Sequence, residues 1–598
     1  MWRTFWPARR RKSCNRGPAR CRPCLEVLED RRCPSSFGFG WAAQAGSPTF
    51  NDGGTAVATD TGDNVYVIGD FSGKASFGTG AGATTLTSAG NQDAFIAKYS
   101  PTGALLWAKD IGGAGGYDYG RGIAVDGSGN VYITGDFSGT SVLGAGEPGQ
   151  TTLNSLPGNG GENIFVARLS PTTGDLVWAE QFGGTVDNVG RGIAVDTTGN
   201  VYLTGGFMGN VAFGTTTLSS IYALGATNNN GAPPLVQDGD TFTVNDGTHS
   251  VTFEMDDNGS VAPGNVAVSF TTGESGNQID RAIAQAINNA NAVGLTAATA
   301  AYRDSVYIAH AVSVTTVPVN PTNPGLAVGQ SWSPFVAQLQ ESTGSVSWAT
   351  KVEDGNPDEQ LASAVAVSGS AVYLAGQEQH APNGLDPTSF IAKLTTAGSG
   401  PQWLDKVASA QVTAIAADGS GNVLSTGNFK GKVNFNPGGS FTLSSHKAGS
   451  SYNFDAFVWK LDSNGKFAWA DDIGGNGTRT NTGGQGIAVD SAGSVYITGW
   501  FNNTVNFNPG KGSYTLTATG GSNSFVVKLT SAGQFGWAAA LDAGAMGGGG
   551  FAIALDSAGD VYATGWFSGT GDFDPTSGSD LLASLGSEDM FLSKLTQP

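Results

Sequence analysis

Six aspartates recur at one place in a repeated motif: Asp60, Asp126, Asp196, Asp418, Asp490 and Asp556. A set of carboxylates can move protons or gather a cation. Each of these, however, opens a Gly-rich hairpin, where an Asp side chain caps its own turn. A catalytic carboxylate pair should break a repeat, and these follow it. One Asp plus carbonyls also falls short of the roughly six to eight oxygens that calcium takes. A second pattern is Asn434-Phe435-Asn436-Pro437, Asn506-Phe507-Asn508-Pro509 and Asp572-Phe573-Asp574-Pro575. Its Asx oxygens make Asn436, Asn508 and Asp574 the calcium candidates; the competing reading is a turn built round a buried Phe.

Other residue types offer less. His249, His310, His380 and His446 share no short metal motif, so no histidine base or metal cluster is expected. The glycine runs Gly112–Gly116, Gly183–Gly184, Gly474–Gly477 and Gly547–Gly550 precede no helix and are not phosphate loops. Arg121, Arg191 and Gln485 hold one position in three copies of the motif and are the ligand-contact candidates; ordinary solvation competes with that role. No repeat-breaking acidic or basic residues cluster in the sequence. No catalytic residue, cofactor or resident metal is expected.

The elements that position these residues are written in the repeat. Gly122-Ile123-Ala124-Val125-Asp126-Gly127-Ser128-Gly129-Asn130-Val131-Tyr132-Ile133-Thr134-Gly135-Asp136-Phe137 recurs nearly verbatim at 192–207 and 486–501, with looser copies through Tyr66, Tyr373, Leu424 and Tyr562. A Trp marks each unit (Trp41, Trp107, Trp178, Trp348, Trp403, Trp469, Trp537), as does a Phe (Phe95, Phe165, Phe335, Phe390, Phe457, Phe525, Phe591). Three markers, seven times, in one order, predict seven units. Each unit reads as four strands: Ile-Ala-Val-Asp, Val-Tyr-Ile-Thr, Phe-Ile-Ala-Lys and a strand carrying the Trp. Successive antiparallel four-stranded sheets are propeller blades.

These residues resemble the bacterial seven-bladed β-propeller repeat family, SBBP. The resemblance covers nearly all of 38–598 outside one long interruption and implies architecture more than activity. The expected fold is all-β: a seven-bladed β-propeller with velcro closure, plus a small α+β module over 216–328 in blade three. The chain opens with a fourth-type strand, Gly40-Trp41-Ala42-Ala43, and ends with a third-type strand, Met590–Leu595. Residues 38–45 should therefore complete the last blade, which hides an edge that would otherwise template aggregation. The module reads as strands at 241–245, 250–255 and 265–270, then a helical stripe from Ile279 to Ile287 with Ser275 and Gln278 as a capping box, then a hairpin.

Composition narrows the function classes. Only 13% of residues are charged, 39% are hydrophobic, and 91 are glycine. The net charge is −19, but residues 1–37 hold ten Lys/Arg against three acids, which leaves the body near −26. An acidic body repels phosphate backbones, so nucleic acid is not expected as a partner. No run approaches the ~20 apolar residues of a membrane span. All four cysteines (Cys14, Cys21, Cys24, Cys33) lie in the basic leader 1–37, which is expected to be disordered or removed. Its Leu25-Glu26-Val27-Leu28-Glu29-Asp30-Arg31-Arg32 resembles a leader of large bacterial surface and secreted proteins and implies export. The expectation is a monomeric binding or scaffold protein, extracellular or at the bacterial cell surface. Its partner would be a protein or a glycan, met on the face that carries the glycine loops and the module. The alternatives are a passive structural surface protein and a propeller hydrolase or polysaccharide lyase.

Overall fold

The computed structural model describes residues 37–598 except 49–50, 156–160, 185, 221, 227–235, 246–248, 273, 291–295, 300–305, 310–312, 318–325, 331, 353–359, 379–387, 509–511 and 598. Residues 1–36 of the basic leader with all four cysteines, His310, His380 and Pro509 lie outside the described residues.

The protein is all-β, with one α-helix among the described residues. Seven sheets share one plan of four antiparallel strands, paired in the order first-second-third-fourth; in the seventh the fourth strand also pairs onward, Ala45↔Phe77 and Gly46↔Ser76. Sheet one is Gly53–Thr59, Val65–Phe71, Asp93–Tyr99 and Leu105–Ile111. Sheets two to six begin at Asp118, Asn188, Gln360, Ala410 and Thr482. Sheet seven takes its first three strands from Gly547–Leu555, Val561–Ser568 and Asp589–Thr596, and its fourth from Gly38–Gly46. The two chain ends pair antiparallel from Gly38↔Thr596 to Ala45↔Met590. This is the pairing that the order of strand types predicts.

The sheets stack face to face. Seven apolar clusters each draw residues from two consecutive sheets; one joins sheet seven (Tyr562, Met590, Leu592) to sheet one (Val65, Phe71, Phe95). Strands buried on both faces need apolar residues at every position, hence the unbroken Val-Tyr-Ile-Thr runs. The first strands of consecutive sheets lie against one another in a closed circuit.

The recurrent Trp stitches neighbours at the outer rim. Trp41 in sheet seven donates to the Pro101 carbonyl in the third-to-fourth-strand turn of sheet one, at 2.9 Å. Trp178, Trp348 and Trp469 reach the carbonyls of Glu341, Thr396 and Ser531 in the next sheet's turn in the same way. Sheet seven has chain ends instead of that turn, and there Phe37 packs on Trp537 with ring centroids 4.7 Å apart.

Two features exceed the four-strand expectation. Among the described residues, six of the seven sheets carry a two-stranded hairpin between their second and third strands, such as Lys74–Phe77 with Thr84–Thr87. These strands are three or four residues long, too short to show periodicity. The third one pairs Asn210–Phe213 with Thr216–Ser219, so the start of the stretch expected to be a module at 216 belongs to this hairpin. The chain then builds two further four-stranded sheets and the helix Gly276–Ala290 before sheet three resumes at Ser333. Strands Tyr222–Ala226, Ser313–Val317 and Leu326–Gln330 join the ones expected there. The helix starts as predicted: the Ser275 amide donates to Gln278 Oε1 at 3.1 Å.

Candidate functional site

The repeated aspartates serve the turns. Asp126 Oδ1 accepts the amides of Ser128 and Asn130 at 2.8 and 2.9 Å, and Oδ2 accepts the Tyr132 hydroxyl at 3.0 Å. Asp60, Asp196, Asp490 and Asp556 repeat this arrangement with Tyr66, Tyr202, Tyr496 and Tyr562. For Asp60 burial alone would raise the carboxyl, but bonds from Asn64 and Tyr66 and the charge of Lys98 outweigh it and hold the group below the usual range.

The three calcium candidates stand in separate hairpins on sheets five, six and seven. Asn434 Oδ1 accepts the amides of Asn436 and Phe441, and Asn506 Oδ1 those of Asn508 and Tyr514. Asp574 Oδ1 accepts the Thr576 amide at 2.9 Å. Phe435, Phe507 and Phe573 are wholly buried. The Asx groups of this motif thus hold the turn over its own Phe.

Arg121, Arg191 and Gln485, one position of the motif, stand on a bulge that the sequence does not reveal. In each sheet the first strand bulges by one residue against the second. The bulged residues are Thr55, Arg121, Arg191, Ser363, Thr413, Gln485 and Phe551. These strands form the inner circuit, so the bulges make a ring. Beside them, at the end of the second strand, one residue precedes the constant Phe or its equivalent: Asp70, Asp136, Gly206, Gln377, Asn428, Trp500 and Trp566. In a four-stranded antiparallel sheet this end lies on the side where the second-to-third and fourth-to-first connections emerge.

The ring divides into three arcs. In sheets one to three Arg121 forms a forked ion pair with Asp136, Nε–Oδ1 3.0 Å and Nη2–Oδ2 3.3 Å. Its guanidinium lies 4.4 Å from the Tyr119 ring centroid, and Tyr119 stacks on Tyr117 at 6.2 Å and 8°. Burial, and then the charge of Arg121, hold Arg191 below its usual range, and its Nε has no hydrogen-bond partner. Burial pushes Asp70 up to about 6 against the pull of Arg121, while Gln92 donates to it. Burial and the charge of Asp136 raise Glu162 as well. Sheets four and five carry a chain of amides, Asn428–Gln411–Gln377, with steps of 3.3 and 3.1 Å. Sheets six and seven carry Gln485, Phe551, Trp500 and Trp566; an added Cβ on Gly549 would lie 3.2 Å from Trp500 and 3.7 Å from Trp566.

Arg121 and Arg191 therefore come together, and Gln485 sits apart among aromatics. The expectation that no repeat-breaking charged residues cluster is overturned: Asp70, Asp136, Glu162, Arg121 and Arg191 gather in the first arc. Arg121 and Asp136 meet within one hairpin of sheet two, and the stacking of sheets brings Asp70 and Arg191 to them. A signal was present in the variable residue inside the Thr-Gly-x-Phe motif that five of the seven copies carry.

Comparison with known proteins identifies the repeat and a set of distant likenesses. Residues 106–136 and 177–205 match the model of the SBBP beta-propeller repeat family, so the repeat is of that type. An uncharacterised WD repeat-containing protein, L264 of Acanthamoeba polyphaga mimivirus, is 27% identical over 206 residues, 31% of this chain and 15% of that protein's length. Similar solved structures include the intramolecular trans-sialidase of Ruminococcus gnavus, at 9% identity and TM-score 0.35, covering 80% of this chain and 94% of that one. The NanB sialidase of Streptococcus pneumoniae is 10% identical with TM-score 0.33, covering 92% and 94%. The quinohemoprotein alcohol dehydrogenase of Comamonas testosteroni is 9% identical with TM-score 0.31, covering 94% and 76%.

Proposed function

We propose that the seven sheets are the blades of one ring, closed by Gly38–Gly46, with an inserted module in the third blade. We further propose that the protein is a monomeric binding and scaffold module outside a bacterial cell, and that it recognises glycans at the mouth of the ring. The observation that carries this reading is the three-arc mouth. Forked Arg–Asp pairs and amides match the paired hydroxyls of a sugar, and flat aromatic groups match its apolar face. The Arg121–Asp136 pair, the Asn428–Gln411–Gln377 amides, and the Tyr117–Tyr119 stack with Trp500 and Trp566 on either side of Gly549 supply all three. Export is supported by the leader motif, and the acidic body argues against nucleic acid as partner.

A glycan array tests the proposal. The full chain is compared with Arg121→Ala/Arg191→Ala, with Trp500→Ala/Trp566→Ala, and with a form in which 220–331 is replaced by the connection 155–162 of the second sheet. Specific binding is expected that falls at least tenfold in both mouth variants. Loss only in the module replacement would move recognition to the module. No binding by any form, in calcium or in chelator, would sink the reading and leave a structural spacer. Release of new reducing ends from a bound glycan would make the protein an enzyme instead.

A further inference from the structure

At the start of the third strand six of the seven sheets bury a short polar residue: Asp93, Asn163, Ser333, Asp455, Asn523 and Asp589 in sheets one, two, three, five, six and seven. In sheets one, five and seven its carboxylate accepts the backbone amide of a residue a few places earlier: Ala89, His446 or Leu585. A second position faces it on the fourth strand, opposite the constant Phe: Asp110, Gln181, Asp472 and Gln44 in sheets one, two, five and seven. Sheet one holds two acids and an alanine. Sheet seven holds one acid, a glutamine and a leucine. Sheet five alone of these combines two acids with an imidazole.

There His446 Nδ1 lies 2.6 Å from Asp455 Oδ2 and 3.6 Å from Asp472 Oδ2. One ligand atom from each of the three lies within 4.8 Å of the others. Asp455 is wholly buried, and its Oδ1 has no hydrogen-bond partner. His446 and Asp472 are about a quarter exposed, at 29% and 24% of their side chains, so solvent reaches the group. Between His446 and Asp455 the chain makes a hairpin, Lys447–Ala448 with Ser451–Tyr452, that no other sheet shows among the described residues. Asn453 ties its foot to the carbonyls of Gly475 and Gly477 at 3.0 and 2.9 Å.

We propose that His446, Asp455 and Asp472 form a binding site for a divalent transition cation, zinc being the best fit. A histidine–aspartate hydrogen bond alone has no use for the second carboxylate, which brings a repelling charge to a half-buried place. A divalent cation neutralises both carboxylates and gives the unpaired Asp455 oxygen a partner. One imidazole nitrogen with two carboxylate oxygens suits zinc or cobalt and departs from the all-oxygen sets of calcium and magnesium. The backbone bond from His446 to Asp455 orients the carboxylate as an outer partner would. Three protein ligands leave a position for water or for a group from a bound molecule. The site fastens the extra hairpin to the fourth strand.

The test uses the full chain without a histidine tag, with its four cysteines alkylated and its metals removed by chelator. Cobalt is titrated and followed by its visible d–d bands. The variants copy other sheets: His446→Ala reproduces Ala89, and Asp472→Gln reproduces Gln181, so the fold tolerates both. One equivalent of cobalt is expected in the parent protein, displaced by zinc and not by calcium. Affinity should fall at least tenfold in each variant, and zinc should raise the thermal midpoint of the parent protein only. Equal cobalt affinity in parent and variants, or no cobalt spectrum and no zinc-dependent stabilisation in the parent, would overturn the site.

Discussion

Asp118 opens the first strand of sheet two and is wholly buried. Burial first, and then the charges of Asp93 and Asp136, push its carboxyl up to about 7. A carboxyl raised on folding contributes stability below its ordinary value and loses it as pH rises through the raised one. The protein should therefore lose stability between about pH 4 and 7, and Asp70 and Asp589, each raised to about 6, act in the same direction. Sheet three carries Asn188 at the matching position. Asp118→Asn should melt higher than the parent at pH 8 by on the order of 1–3 kcal/mol, and equally at pH 4. Thermal melts across that range check it; a gain that does not change with pH would refute the assignment. Residues of this kind were half legible. The turn aspartates bond groups two to six places away in sequence, so the motif alone identifies them. Asp93 and Asp118 belong to neighbouring sheets, and no local pattern connects them.

At the scale of elements, the constant glycine of the second strand explains the bulge. An added Cβ on Gly135 would lie 1.8 Å from the Tyr119 carbonyl oxygen and 2.8 Å from the Phe165 ring. The same contact recurs at Gly69 with the Gly53 carbonyl and at Gly427 with the Gln411 carbonyl. The bulging first strand pushes its carbonyl into the space a side chain would fill, and this displacement presents Arg121 at the mouth. Gly135→Ala should cost about 3 kcal/mol or more, because the obstacle is backbone that cannot turn aside. A urea midpoint measures this, and a neutral substitution would show that the bulge relaxes freely. The sequence made the glycine conspicuous. The reason lies in a strand pairing that depends on which neighbour the strand takes.

For the whole molecule, the proposed ring closes through the pairing of Gly38–Gly46 with Asp589–Thr596. Ala42 stands opposite Ser593, a small residue that is 1% exposed. With the four leader cysteines changed to serine, Ala42→Cys/Ser593→Cys should form a disulfide across this pair. Oxidation should then raise unfolding stability by about 2–4 kcal/mol, and reduction should reverse the gain. A cross-link that forms without stabilising would mean that unfolding begins elsewhere than at the joined ends.

The order of strand types by itself determined the all-β class, the seven units and the joining of the ends. Each of these follows from local chemistry repeated along the chain: apolar runs, Gly-rich turns and an Asp that caps its own hairpin. The interruption of the third unit was legible because its spacing departs from the others. The structure alone decided the small hairpins, the ring of bulges, the charged and aromatic arcs, and the meeting of His446 with Asp455 and Asp472. Those features depend on contacts between strands and sheets far apart in sequence, where side-chain variation inside a constant motif gains meaning only once the copies stand side by side.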